Sequence, residues 1–382
     1  MTGKTEKRLT VLSLLSGSGK GGADILALDI AKRLSHRGHR IIWGCPSNCV
    51  LLGEAENSGL ETFILENNGK LDFSGVGPLM RFCRDENVDI VNVHHSKGRH
   101  LMVAARLLGL KSRSVFTRHC ISGSTPVIGP LLYNYASDMN IAVSGSVGRS
   151  LLKNGIRADK VAVIYGGIEI SRFNDDVPAG KIEKIRREYA RPGIFNIGMV
   201  GRFHDIQFRP GKPTLKRHEV LFEALSMLQG QIEFNLLLVG PDESSMNTLK
   251  QMAGHTGLDT ERITISGFRD DITPFYKIMD LNVLPSPAEG LGLVVIEAMA
   301  AGVPCIGAGA GGVSEIITDG EDGFLFTPGD SAGLAEKIKS LLTNDKLRKS
   351  FSANGRNKVK KLFDIEKNVL ETEKVFYRVL LN

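Results

Sequence analysis

The chain holds 382 residues, with 48 Lys and Arg against 42 Asp and Glu for a formal charge of +6. That length fits two domains of ordinary size better than one, and 42% apolar with 24% charged residues is a globular rather than a disordered composition. No apolar run approaches the roughly 20 residues of a membrane span, and the five cysteines form no Cys-X-X-Cys pair, which argues against a zinc site and for a reduced, cytoplasmic chain.

Leu9 to Leu15 reads as a first strand, too short and too quickly broken by glycine to be a signal peptide. The turn Gly17 to Gly22 leads into a helix from Ala23 to Arg37, and a strand follows from Arg40 to Gly44. The turn is not a nucleotide P-loop, because Leu14 and Gly21 stand where glycine and a hydroxyl are needed. Gly21 and Gly22 instead let backbone approach a ligand at the strand's end. Asp89 to Val93 reads as a strand ending in His94 and His95, and Ser114 to Thr117 as one ending in Arg118 and His119. Leu101 to Leu108 is helical between them. Strands at Met139 to Val143 and Val161 to Tyr165 complete a parallel, doubly wound pattern, whose ligands bind beyond the carboxyl ends of the strands.

Between Asp89 and Asp138 there is no acidic residue, while Lys97, Arg99, Arg106, Lys111, Arg113 and Arg118 fall there. Such a field attracts anionic surfaces. Without basic-aromatic interleaving it points to a phosphate-bearing acceptor or anionic lipid and away from nucleic acid. Lys97 and Arg99 are the candidate acceptor-phosphate ligands.

The hydrophilic stretch from Ser171 to Pro192 marks a domain boundary, with a connecting helix around Lys181 to Tyr189. This divides the chain into 1–175, 193–364 and a terminal helix over 365–382 able to pack back on the first domain. A second strand-helix alternation runs through Phe195 to Val200, Phe234 to Val239, Ile263 to Ser266 and Leu281 to Leu284. After the last of these, Glu289-Gly290-Leu291-Gly292 opens an apolar helix that carries Glu297. Free N–H groups at such a helix mouth stabilise an anion, and both carboxylates can face what is held there. Arg202 and Lys216 supply cations able to offset the charge of a leaving diphosphate, with Lys212 as the competing lysine. Asp270 and Asp271 read as a helix cap, and no metal site is assigned.

These motifs resemble the retaining glycosyltransferases of family 4 (group 1), which have the GT-B fold. The likeness rests on Glu289 to Gly292 through Glu297 to Ala300 and Gly302-Val303-Pro304, which resemble that family's pair of glutamates separated by seven residues. Gly311-Gly312, Glu315-Ile316 and Asp319-Gly320 agree in order, as do Gly21 to Asp24, Tyr165 to Ile168 and Gly201-Arg202. Leu291 stands where the family often has Phe.

The resemblance implies two Rossmann-like domains facing a cleft, the second binding a UDP- or GDP-linked sugar and the first an acceptor. It implies that Glu289 and His119 contact the donor sugar, Glu297 the ribose, and Arg202 and Lys216 the diphosphate. Gly290 to Gly292 would offer backbone N–H groups, and Gly267, Phe268 and Arg269 would lie near the base. Transfer would retain configuration and need neither metal nor cofactor. The acceptor would be a glycan or lipid-linked hydroxyl, as in cell-envelope polysaccharide or lipopolysaccharide synthesis, at the inner face of an anionic membrane. The alternatives are a sugar-nucleotide epimerase on the same fold or a non-catalytic nucleotide-sugar-binding scaffold.

Overall fold

The computed structural model describes residues 7–66, 72–121, 128–173, 177–203, 209 and 212–381. Two compact units emerge, one of Met1–Gly167 with Ile365–Asn382 and one of Ile168–Asp364.

In the first unit, seven parallel strands are β1 (Thr10–Leu14), β2 (Arg40–Cys45), β3 (Glu61–Ile64), β4 (Ile90–Val93), β5 (Arg113–Arg118), β6 (Met139–Ala142) and β7 (Val161–Val163). Their order is β3-β2-β1-β4-β5-β6-β7, so the winding direction reverses between β1 and β4. The second unit repeats the plan with β8 (Phe195–Val200), β9 (Phe234–Val239), β10 (Ile263–Gly267), β11 (Leu281–Leu284), β12 (Cys305–Ala308) and β13 (Phe324–Phe326). Its order is β10-β9-β8-β11-β12-β13, reversing between β8 and β11. Helices on both faces bury the central strands, which is why β4, β9 and β11 are near-continuous apolar runs, each broken by one buried asparagine, rather than alternating ones. At each reversal neighbouring crossovers diverge to opposite faces and leave a crevice at the strand ends. Those two crevices lie next to Ser16 and His94 in one unit and Gly201 and Pro285 in the other.

The hydrophilic stretch proves to be a surface helix of the second unit, not a linker. The chain enters that unit at Ile168, whose N–H donates to the Phe363 carbonyl at 2.9 Å. Phe173 is 3% exposed and packs edge-on to Tyr276. The helix Ala179–Tyr189 is fastened by a Lys181–Asp271 ion pair and by Tyr189 against Phe275. Its polar composition reflects one exposed face.

The terminal helix Ile365–Leu381 belongs to the first unit. It buries Val369, Phe376 and Val379. Glu373 receives Arg37 Nη2 at 2.6 Å and pairs with His39 Nε2 at 2.7 Å, and Glu366 receives Arg33 Nε at 2.8 Å. Helices Leu52–Asn57 and Val76–Asp85, with β3 between them, fill a span the sequence pattern leaves unmarked. Among the described residues no helix is long and apolar enough to cross a membrane.

Candidate functional site

In the second unit, β11 ends at Leu284, and the turn through Gly292 (φ +103°) starts the helix Leu293–Ala300. A left-handed φ there favours glycine because a Cβ clashes with the backbone. The Glu289 carbonyl accepts from Gly312 N–H at 2.9 Å, pinning the turn to the loop after β12. A Cβ on Gly312 would sit 2.7 Å from the Leu291 carbonyl oxygen and closer still to Gly290, so the two segments touch only because that position is glycine.

Glu289 forms an ion pair with Lys216, which lies just before the helix His218–Leu228. Both side chains are part-buried, and the pair brings together groups 73 residues apart. Arg217 beside Lys216 takes φ +55°, uncommon for a non-glycine residue, and turns the chain at this point. His218 is buried beneath, its Nδ1 3.1 Å from Thr214 Oγ1. Burial, then the Lys216 charge, lowers its pKa to about 3, so it stays neutral and acts as packing. Glu297 accepts from the Tyr276 hydroxyl at 2.9 Å. Burial pushes its carboxyl above the usual value despite that bond and the Arg172 charge. A carboxylate and an ammonium thus stand beside a helix mouth, a combination whose chemistry suits hydroxyls and phosphates.

In the first unit a polar hollow of about 430 Å³ opens at the ends of β1 and β4, lined in part by Ser16, Ser18, Asn48, His95 and Lys97. Asp24 organises its floor, accepting from Gly21 N–H at 2.9 Å and pairing with His95 Nε2 at 2.8 Å. A Cβ on Gly17 would lie 2.9 Å from the His95 ring, which explains the glycine there. Behind the hollow His94 Nδ1 lies 3.1 Å from His119 Nε2.

Residues 20–172 match the model "Glycosyltransferase Family 4", and residues 212–358 match "Glycosyl transferases group 1". The chain belongs to the family 4, group 1 glycosyltransferases.

This glycosyltransferase is 27% identical over 380 residues to the N-acetyl-alpha-D-glucosaminyl L-malate synthase of Bacillus anthracis, covering 94% of each chain. It is 25% identical over 327 residues to the Escherichia coli UDP-Gal:alpha-D-GlcNAc-diphosphoundecaprenol alpha-1,3-galactosyltransferase, covering 81% of each. A Rickettsia africae glycosyltransferase superposes with a TM-score of 0.86 at 25% identity, over 98% of this chain and 99% of that one. Two Rossmann-like parallel-sheet domains of GT-B type are the shared architecture.

The sequence-derived residues of the glycosyltransferase fall into groups. Glu289, Gly290, Leu291, Gly292, Glu297 and Lys216 gather at the second unit's crevice, and Arg202 is exposed just past β8. Lys212 is also exposed, and of the two lysines it is Lys216 that pairs with Glu289. The intervening positions 204–208, 210 and 211 lie outside the described residues. Gly267 closes β10 with φ +74° and accepts from Gly240 N–H at 3.0 Å, and Phe268 is 53% exposed beside it. The Arg269 guanidinium is held between Tyr189 and Phe275 and donates to the Tyr189 hydroxyl. Asp271 Oδ1 accepts from Thr273 N–H at 3.2 Å just before the short helix Thr273–Tyr276, whose N-cap position is Ile272.

Lys97 and Arg99, paired in the sequence reading, part company. Both lie on the helix Ser96–Leu107, where residues two apart point to different faces. Lys97 lines the hollow, whereas Arg99 is driven against Tyr133 and Cys120 near Arg118, and burial lowers its pKa. The acid-free interval is likewise less basic in space than in sequence. Asp138, one residue beyond it, accepts Arg113 at 3.3 Å and Arg106 at 3.6 Å. Sequence reasoning missed Tyr276, Asn92 and Ser13, whose one signal is a polar residue within an otherwise apolar strand or short helix.

Proposed function

We propose that this glycosyltransferase moves a hexosyl group from a UDP- or GDP-linked sugar to a hydroxyl of a glycan or lipid-linked acceptor, retaining the anomeric configuration. The observation that carries the reading is the Lys216–Glu289 pair at the mouth of the helix Leu293–Ala300. On donor binding Lys216 turns to the diphosphate with Arg202, and Glu289 is released to the sugar hydroxyls. Glu297 receives the ribose. The anomeric carbon–oxygen bond to the β-phosphate breaks, and the acceptor oxygen bonds to that carbon on the same face. The acceptor's proton passes to the departing phosphate oxygen. Cationic side chains meet the charge that develops there, so no metal or cofactor is required.

The hollow lined by Lys97, Ser18 and His95 is the proposed acceptor pocket of the first unit. Leu107, Leu108, Leu131 and Tyr135, each more than half exposed on the packed helices Ser96–Leu107 (Leu108 being its C-cap) and Ile128–Ala136, give that unit an apolar face. With Lys111 close by in the chain, this face suits the cytoplasmic surface of an anionic membrane. The L-malate and the GlcNAc-diphosphoundecaprenol that two relatives' names carry are both negatively charged, which supports an anionic acceptor.

Thermal-shift screening against UDP- and GDP-sugars tests the donor, and NMR of the product's anomeric proton tests retention. A stabilising nucleotide sugar, consumed only with acceptor and giving the donor's own anomeric configuration, is the expected result. An inverted product, or isomerised nucleotide sugar formed without acceptor, overturns the reading.

A further inference from the structure

We propose that a buried chain of hydrogen bonds, Thr117 to Asn92 to His94 to His119, fixes His119 in the tautomer protonated at Nδ1 and makes His94 its positioning residue. Thr117 Oγ1 donates to Asn92 Oδ1 at 2.8 Å, which orients the Asn92 amide. Asn92 Nδ2 then faces His94 Nε2 at 3.3 Å, with Ser13 Oγ 3.1 Å from the same nitrogen. An amide N–H only donates, so His94 Nε2 carries the lone pair and the ring's proton sits on Nδ1. That Nδ1–H donates across 3.1 Å to His119 Nε2, which must in turn be an acceptor. The His119 proton is therefore on Nδ1, a donor available to a substrate oxygen.

Each link depends on burial. Ser13, Asn92, His94 and Thr117 are all 4–5% exposed. With the Asn92 amide placed as it is, Oδ1 on Thr117 and Nδ2 on His94, the opposite polarity would set two N–H groups face to face at the Asn92–His94 contact. Burial, reinforced by the charges of His119 and His95, keeps His94 well below its usual pKa. Burial and then His95 lower His119 to about 4, against the opposing pull of Asp24. Two neutral imidazoles have one N–H each, so the chain has a single direction. It also explains why an asparagine occupies the buried strand β4, where valine would pack better. The partner of a reactive imidazole's other nitrogen decides which tautomer it presents.

The proposal rests on the reading that His119 contacts substrate, and its first test does not. Two-bond proton–nitrogen NMR of the full chain labelled with ¹⁵N-histidine distinguishes the protonated from the bare ring nitrogen. His119→Gln and His94→Asn assign the signals. His119 is expected to show protonated Nδ1 and bare Nε2. His94→Leu should abolish that preference and lower kcat about tenfold, the value of one neutral hydrogen bond, with donor KM within about threefold. His94→Asn, whose amide can place an N–H where Nδ1 stood, should restore the tautomer and most of kcat. A wild-type His119 protonated at Nε2 overturns the proposal, as does a His94→Leu protein with unchanged tautomer and kcat. Should no sugar nucleotide be consumed, the functional reading fails while the spectra still decide the tautomer.

Discussion

The Tyr276 hydroxyl donates to Glu297 at 2.9 Å, a hydrogen bond that offsets only part of the carboxylate's burial. Because burial raises the folded-state pKa above 4.5, folding favours the protonated acid. The ionised group then destabilises the fold increasingly as pH rises from 4.5 through the folded pKa. Glu297→Gln should therefore raise the melting temperature of the ligand-free protein at pH 7, by an amount that shrinks as pH falls toward 4.5. The same variant should weaken donor binding. Calorimetry across that pH range with a donor titration measures both, and a lower melting temperature at pH 7 would count against this account.

Lys216 and Glu289 give a second expectation. A part-exposed ion pair contributes about 1 kcal/mol or less to stability, whereas removing one transition-state charge contact costs about 10²–10³ in kcat. Lys216→Ala and Glu289→Ala should each lose transfer on that scale with melting curves near the parent's. Lys212→Ala should keep its activity. Initial rates and melting curves on the three variants separate the lysines.

Contact at Gly312 matters more than flexibility there. A Cβ at that position collides with Gly290 and Leu291, so Gly312→Ala should push the Glu289–Gly292 turn outward and, on the proposed function, weaken donor binding about tenfold or more. Gly254, in the last turn of the helix Glu243–Thr256, has open space around its Cβ position. Gly254→Ala should instead stabilise slightly, by about 0.5 kcal/mol or less because the last turn counts for less than the interior, and leave donor binding alone. Denaturant melts and donor titrations on the two variants form the comparison.

Glu373 predicts acid sensitivity. Burial alone would raise its carboxyl, but hydrogen bonds from Arg37 and His39 outweigh it and hold the pKa below 4.5. Its stabilisation is present above pH 4.5 and is lost as pH falls through the folded value. Glu373→Gln should be less stable than the parent at pH 6, with the gap closing in acid. Urea melts at both pH values measure the gap, and a constant difference would rule out the linkage.

β8, β9 and β11 are legible in the sequence to the residue, because each is a buried apolar run bounded by polar or glycine positions. β3 is not, since Glu61 and Ile64 are exposed at a sheet edge and leave no apolar run. Glu289, Glu297 and the glycines between them are local in the chain and so announce themselves. What escaped depends on pairing across the fold. Lys216 is singled out from Lys212 only by Glu289, Arg269 is claimed by two aromatic rings, and Asp138 neutralises arginines far behind it in sequence. Asn92 meets Thr117 and His94 meets His119 across a spacing of 25 residues that strand register alone sets.

The terminal helix has a consequence for synthesis. Arg37 and His39 emerge from the ribosome more than 330 residues before Glu373, their partner. The second unit can complete itself during translation, whereas the first must wait with one apolar face uncovered until the helix Ile365–Leu381 has been made. A chain truncated before Ile365 would leave that face bare, a place for a chaperone to hold and for a protease to begin.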